Sequence, residues 1–407
     1  MRQPQGFEIG GSEVVCKLTR SLYGLKQAPR SWFNTLRAAL YTLGFSSTKS
    51  DVSLFFKHTS EAIVFLLVYV DDIIVTGTSK EAIAKLVQQL HSKFSLRDMG
   101  ELKYFLGIEV TRTSCGGLLL SQTKYINDLL KKANMGNSKA AATPMTSNLK
   151  LTSTDGVPFE HVSLYRSVVG SLQYLTVTRP EIAFCVNKVC QFMQTPLDKH
   201  WKAVKRILRY LQGTRTMGLH LRKPTELILT GYTDSDWASD IEDRKSTAGY
   251  CVMFGPNPIS WCSKKQAAVS RSSTEAEYRG IANVVAELLW IRNLLGEIHI
   301  LVPTPKVYCD NAGAVLMSAN PVLHSRSKHF EIDLHLVRDH VAKGRVQIHH
   351  IPGDAQIADV MTKAVSSSRF VTFRSKLKIE QPQSLSLRED DRIIEQNNRS
   401  LLESLSN

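Results

Sequence analysis

Three β-rich runs follow one another from Glu226: ELILTGYTD, AGYCVMF and PISWCS. A long helical pattern, TEAEYRGIANVVAELLWIRNLLGEI, comes next, then a fourth strand, PKVYCD. Helical stretches after Asp310 and around EIDLHLVRDHV lead to a fifth strand, RVQIHHI, and a last helix near DAQIADVMTKA. Strands joined by short turns pair as an antiparallel meander, and strands reached through helices return beside it while the helices bury their apolar stripes on the sheet. This order restricts the second half of the chain to a mixed sheet with helices packed on it.

Acidic residues fall at telling places in that pattern. Asp234 closes the first strand, in Tyr232-Thr233-Asp234-Ser235-Asp236, and Asp310 closes the fourth, in Val307-Tyr308-Cys309-Asp310. Carboxylates at strand ends are well placed to converge. In the long helix Ile281, Val284, Val285 and Leu288 form the core-facing stripe. Glu277 lies one turn before Ile281 on that stripe, and Glu275 is rotated about 200° away from it. Other roles stay open. Asp236 shares the strand face of Asp234, although Asp234 lies nearer the sheet end. Thr274 with Glu277 forms a capping-box pattern, and so does Ser272 with Glu275. Asp310 could cap the helix that follows it. Asp359 sits among Ile357, Val360 and Met361, and spacing says least about it.

The first part of the chain has a different texture. AIVFLLVYVDDIIVTG reads as two apolar β-runs meeting at Asp71-Asp72, a tight hairpin with both carboxylates at its tip. Two aspartates often mean only a turn, but the apolar flanks place them at the end of a buried hairpin, where charge needs a partner such as a divalent metal. Residues 138–156 are rich in Ser, Thr and Ala and read as a linker. A helical stretch, 157–222, follows. There Trp201, Val204, Ile207, Leu208 and Leu211 form an apolar stripe, and Lys202, Lys205, Arg206 and Arg209 form either a solvated face or a rail for phosphates.

The chain of 407 residues carries a formal net charge of +14, which favours a polyanionic partner, nucleic acid ahead of an acidic membrane surface. Its 7 cysteines contain no CxxC pair, which points to a reducing compartment without a disulfide framework or zinc ribbon. The run His324, His329, His335 and His340 lacks the cysteine pair that would suggest zinc. The longest apolar run, Ala62 to Val70, is half of what a membrane span needs. The N-terminus lacks the layout of a signal peptide. No membrane partner is expected, and an intracellular setting, cytoplasmic or nuclear, is all that follows.

Several motifs match a known family. Tyr69-Val70-Asp71-Asp72 resembles the polymerase signature of reverse transcriptases, and SLYGLKQAPRSWF (Ser21–Phe33) and LRDMGELKYFLGIEV (Leu96–Val110) resemble segments of copia-type enzymes. GYTDSDWA, RKSTAGY, ISWCSKKQ, SSTEAEY, DNAGAV, HSRSKHFEIDLH and IADVMTK resemble, in order, the ribonuclease H domain of the same elements. The chain thus resembles the C-terminal part of a copia-type LTR retrotransposon Pol polyprotein. That implies a multi-domain α+β and α/β architecture: a truncated reverse-transcriptase palm and thumb-like region over 1–137, the linker over 138–156, a helical connection over 157–222, a ribonuclease H-like mixed sheet over 223–368 and a mostly disordered tail over 369–407.

The resemblance also implies chemistry. Asp234, Glu277, Asp310 and Asp359 become the ligands of two Mg²⁺ ions, with Mn²⁺ able to substitute, for cleavage of the RNA strand of RNA–DNA hybrids. Asp71 and Asp72 become catalytic metal ligands of the polymerase, acting on a template-primer. Arg244, Lys245, Lys264, Lys265 and Arg271 are candidates for phosphate contacts, and other parts of the polyprotein are possible partners. One histidine of many ribonucleases H is missing from the short loop Ile351–Gln356, and of His349 and His350 alternation buries one. The alternative is a non-catalytic nucleic-acid-binding relic. In the family a further polymerase aspartate precedes Gln3-Pro4-Gln5-Gly6-Phe7, and none of Glu8, Glu13, Asp51 and Glu61 replaces it. We therefore expect no extension of a primed template by this chain alone, checked by incubating purified protein with deoxynucleotides.

Overall fold

The computed structural model describes residues 1–11, 13–18, 24–114, 116–147, 149–319 and 330–382. The chain forms two compact units, one of residues 1–101 with 297–299 and one of the remaining residues. The class is the mixed α and β architecture that the sequence implies, with sheets flanked by helices. Among the described residues no helix is long and apolar enough to cross a membrane.

In the first unit, α1 (Ala28–Thr42) begins with a proline in its first turn, where a missing N–H costs nothing. Four antiparallel strands follow in sequence order: β1 (Ser46–Ser47), β2 (Leu54–His58), β3 (Ile63–Tyr69) and β4 (Asp72–Gly77). The next helix, α2 (Lys80–Lys93), is capped by Ser79, whose hydroxyl accepts from the Ala82 N–H at 3.2 Å. Burial alternates along β3, so Val64, Leu66 and Val68 pack against Leu36, Leu40, Leu86 and Leu90 while their neighbours are only half-buried.

The second unit opens with β5 (Tyr104–Phe105), β6 (Ile108–Arg112), β7 (Leu118–Ser121) and α3 (Thr123–Lys132). Helices α4 (Val162–Leu175), α5 (Ala183–Cys190) and α6 (Asp198–Gly213) follow, with a 3-10 turn at Pro180–Ile182 before α5, and then β8 (Gly218–Leu221). The mixed sheet contributes β9 (Leu229–Ser235), β10 (Thr247–Phe254), β11 (Asn257–Lys265), α7 (Ser273–Glu297), β12 (Lys306–Cys309), α8 (Ala312–Ala319), α9 (Glu331–Ala342), β13 (Gln347–His350) and the single turn α10 (Asp359–Thr362). Last come α11 (Ser367–Lys376) and β14 (Ile379–Glu380).

Strand order in the mixed sheet is β11-β10-β9-β12-β13, antiparallel from β11 to β9 and parallel from β9 to β13. One face is covered by α7, whose Val284 and Leu288 reach Gly231 of β9. On the other face Cys251 and Met253 join Val360 and Met361 of the α10 turn in a core shared with α4, α5, α6 and α11.

Several sequence expectations are changed by the structure. The first compact unit ends at Glu101, short of the expected 137, because β5 to β7 pair with β8 and β14 in a second five-stranded sheet, β14-β8-β7-β6-β5. Residues 138–156 are not a free linker. Met145 and Leu151 are buried, the Ala141 N–H donates to the Arg209 carbonyl, and Arg209 and Arg206 donate to the Lys139 carbonyl and the Thr143 hydroxyl. Two of the four cations of the supposed phosphate rail are thereby used within the fold.

The tail is ordered well past 368. Phe370, Phe373, Leu377 and Ile379 are buried, and Arg222 holds Glu380 through two bonds of 2.9 and 3.1 Å. Residues 383–407 lie outside the described ones. His349 and His350 are both exposed, because β13 is the outer strand and only Val346 and Ile348 turn into the core.

Gly249 lets α10 lie directly on β10: a Cβ there would fall 2.5 Å from Met361 Cβ and 3.1 Å from its carbonyl carbon. Gly249→Ala is expected to lower stability by about 1–3 kcal/mol through overpacking. Gly170→Ala, inside α4 with nothing within 4 Å of the new methyl, is expected to raise it by about 0.5–1 kcal/mol. Urea denaturation of both variants checks the contrast.

Candidate active site

Strand register brings the first two carboxylates together. β12 lies parallel to β9 with Tyr308 beside Tyr232, so Asp310 and Asp234, each two residues on, emerge side by side at the same end of the sheet. Asp359 comes down on them from the α10 turn, and Glu277 arrives from α7. Oxygens of Asp234, Asp310 and Asp359 lie within 4.8 Å of one another, and so do ligand atoms of Glu277, Cys309 and Asp310. Among the described residues these are the two groupings that could hold a metal ion, and Asp310 belongs to both. Asp234, Glu277 and Asp359 are only 3%, 6% and 2% exposed.

The competing roles are now resolved by hydrogen bonds. Asp236 accepts from the Thr247 N–H and the Ser239 hydroxyl, which uses its carboxylate within its own loop. Ser272 accepts from the Glu275 N–H at 3.2 Å and Glu275 accepts from the Arg271 N–H at 2.9 Å, so capping of α7 leaves Glu277 free. Glu275 is buried as well, paired with Arg279 at 3.0 Å. Asn311, not Asp310, caps α8 by accepting from the Ala314 N–H at 2.9 Å.

Burial, with Asp234 and Asp310 as like-charged neighbours, holds the Glu277 carboxyl far above the ordinary carboxylate range. Burial and Asp234 raise Asp310. Asp359 is raised by burial too, although Lys363 pulls against it. The Cys309 thiol is pushed up by burial and by Glu277, to which its S–H donates at 3.6 Å.

Sequence reasoning missed the cations and the hydroxyl of this site. Lys363 Nζ lies 2.8 Å from Asp359 Oδ1 and 3.5 Å from Asp234 Oδ2. Arg369 Nη2 donates to Asp359 Oδ2 at 2.9 Å and to the Gly353 carbonyl at 2.8 Å, and the Thr362 hydroxyl donates to Asp234. The four-residue spacing from Asp359 to Lys363 was a readable signal. Arg369 was hidden because its segment read as tail. The four carboxylates form a hard-oxygen donor set, which suits Mg²⁺ or Mn²⁺ and whose mutual repulsion a divalent ion would relieve.

Asp71 and Asp72 do not join this site or any three-ligand group among the described residues. They are exposed rather than at the end of a buried hairpin, since β3 buries one face only. Tyr69 pairs with Asp72, leaving Val70 and Asp71 as the turn, and Val70 adopts φ 50°, a left-handed value that is costly for a β-branched residue. Of the proposed phosphate contacts, Arg244, Lys264 and Arg271 are exposed and Lys245 is partly so. Lys265 is engaged by Asp240 and Asp243 at 2.8 and 2.9 Å. His324 and His329 lie outside the described residues, and His335 and His340 enter no metal-ligand group.

A family model described as reverse transcriptase (RNA-dependent DNA polymerase) matches residues 1–147. The retrovirus-related Pol polyprotein from transposon RE1 of Arabidopsis thaliana is 48% identical over 379 residues, 93% of this chain and 26% of that protein. A putative transposon Ty5-1 protein of Saccharomyces cerevisiae is 32% identical over 291 residues, 71% of this chain and 94% of the relative. The chain belongs to the copia-type retrotransposon Pol family. It spans about a quarter of the length of the Arabidopsis Pol polyproteins it matches. Among solved structures, a foamy viral protease-reverse transcriptase in complex with an RNA/DNA hybrid aligns with a TM-score of 0.45 at 13% identity, covering 82% of this chain and 39% of that one.

The raised carboxyls of this Pol segment make a pH prediction for metal-free protein. Glu277 titrates near 4.5 when unfolded and much higher when folded, so stability falls as pH rises from about 4.5 towards the folded value. In EDTA at pH 8, Glu277→Gln is expected to be more stable than wild type by roughly 1–3 kcal/mol, and at pH 4 the advantage should vanish. Thermal melts at the two pH values check this.

Proposed function

We propose that the mixed-sheet region of this Pol segment cleaves the RNA strand of RNA–DNA hybrids in a reaction dependent on Mg²⁺ or Mn²⁺. The observation carrying the reading is the convergence of Asp234, Asp310 and Asp359, with Glu277 sharing Asp310 from the opposite side. Two divalent ions held by these carboxylates would neutralise them and the phosphate oxygens during in-line displacement by water.

The chain's own residues prepare that site. Thr362 orients Asp234, and Lys363 with Arg369 orients Asp359 while limiting the repulsion among the carboxylates. Exposed Arg244, Lys264 and Arg271, with partly exposed Lys245, would take phosphates as the hybrid is seated, a reading their exposure supports. RNA would be told from DNA by its 2′-hydroxyls in the minor groove. Asp71 and Asp72 are proposed as ligands of a polymerase metal pair, a role that needs a further carboxylate from a separate element.

The test is cleavage of a labelled hybrid by the full chain beside its Asp310→Asn variant. Wild type should yield 5′-phosphate and 3′-hydroxyl products only with Mg²⁺ or Mn²⁺. The variant should be slower by about a hundredfold or more, since losing even an outer partner of a metal ligand costs 10–100-fold. Hybrid binding without cutting, or equal cutting by both proteins, would instead support a non-catalytic nucleic-acid-binding role.

A further inference from the structure

α10 is a single turn, and one turn of helix has no stability of its own. The direction in which Asp359 points is therefore set by what α10 packs against. On one side it lies on Gly249 of β10. On the other it packs against the 3-10 turn Pro180–Ile182 and α5, with Ile182, Val360 and Met361 in one buried core.

That turn is held by a buried ion pair. Arg179 Nε donates to Glu181 Oε1 at 2.7 Å, and both side chains are 0% exposed. Arg179 Nη1 and Nη2 donate to the carbonyl and hydroxyl of Thr214, at 3.0 and 2.8 Å, just past the end of α6. Tyr210 of α6 donates to the same Glu181 oxygen at 3.1 Å, and its ring meets Phe370 of α11 edge-on at 5.4 Å. A buried ion pair adds little net stability over apolar residues of similar size. Its contribution here is geometric, because a planar guanidinium fork and its acceptors fit in one arrangement only.

We infer that Arg179 and Glu181 are positioning residues for the carboxylate site: they fix the turn on which α10 rests, and through it the place of Asp359. The helical connection is then part of the site's supporting structure rather than a spacer before it. Only the kinetic arm of the test rests on the nuclease reading.

The experiment uses the full chain with an Arg179→Met, Glu181→Leu double variant, chosen because apolar replacement of both partners spares stability, and with Tyr210→Phe as a milder lesion. Amide hydrogen exchange of peptides covering residues 355–365 should accelerate about tenfold while peptides of β9 and β10 keep their protection. Mn²⁺ affinity should weaken by about 10–100-fold, as for other groups that orient metal ligands. In hybrid cleavage kcat should fall with KM unchanged. Folded variants whose α10 exchange and Mn²⁺ affinity stay within twofold of wild type overturn the inference. If the double variant does not fold, Tyr210→Phe decides by the same two readouts. A wild type that cuts no hybrid sinks the nuclease reading alone, since exchange and Mn²⁺ binding still report on α10.

Discussion

Like charges about 4 Å apart repel by about 4 kcal/mol even at an effective dielectric constant near 20. Three carboxylates within 4.8 Å of one another, and a fourth beside one of them, therefore impose a strain that the surrounding fold has to carry. Much of the second unit can be understood from that constraint. Lys363 and Arg369 answer Asp359, Thr362 answers Asp234, and a weak thiol donor is what Glu277 receives from Cys309. Partial compensation leaves a site that is tolerable without metal and better satisfied with it.

Holding charges together also requires the backbone segments that carry them to come unusually near. Gly249 removes the side chain that would keep α10 off the sheet. Gly280 does the same for α7, where a Cβ would meet the hydroxyls of Ser235 and Thr233 at 2.8 Å each. The two close approaches lie on opposite faces of β9 and β10 and bracket the strand that carries Asp234. Site geometry is thus written into glycines that never touch the chemistry.

The parts of the fold that could be read from sequence are those governed by local periodicity. The order of β9 to β13 and the core stripe of α7 follow from side-chain alternation and helical spacing, and they carry Asp234, Glu277 and Asp310 with them. Asp359 was placed by resemblance, because a single turn leaves no periodic trace. Pairings between distant segments were invisible. Nothing local in Tyr104–Ser121 says that it joins β8 and β14, and the polar texture of 138–156 concealed its packing on α6. Arg179 and Glu181 were unremarked for the same reason: a charged pair in a short polar run looks like surface until its neighbours are known. At Asp71-Asp72 the apolar flanks misled, since a run as apolar as Ile63–Tyr69 is what a strand covered on both faces carries, yet here alternate residues are only half-buried.

The second sheet orders events in the life of the chain. β14 is a two-residue strand at one edge of a sheet whose other strands come from the start of the unit and its middle. Closing it requires residues that follow every other strand and helix of the unit in sequence, together with α11, whose Phe370 and Phe373 complete the shared core. Such non-local pairing slows folding and leaves strand edges exposed in the meantime. The shared core on which the α10 turn rests is therefore complete only once Glu380 has been made, which ties maturation of the carboxylate region to completion of the whole unit.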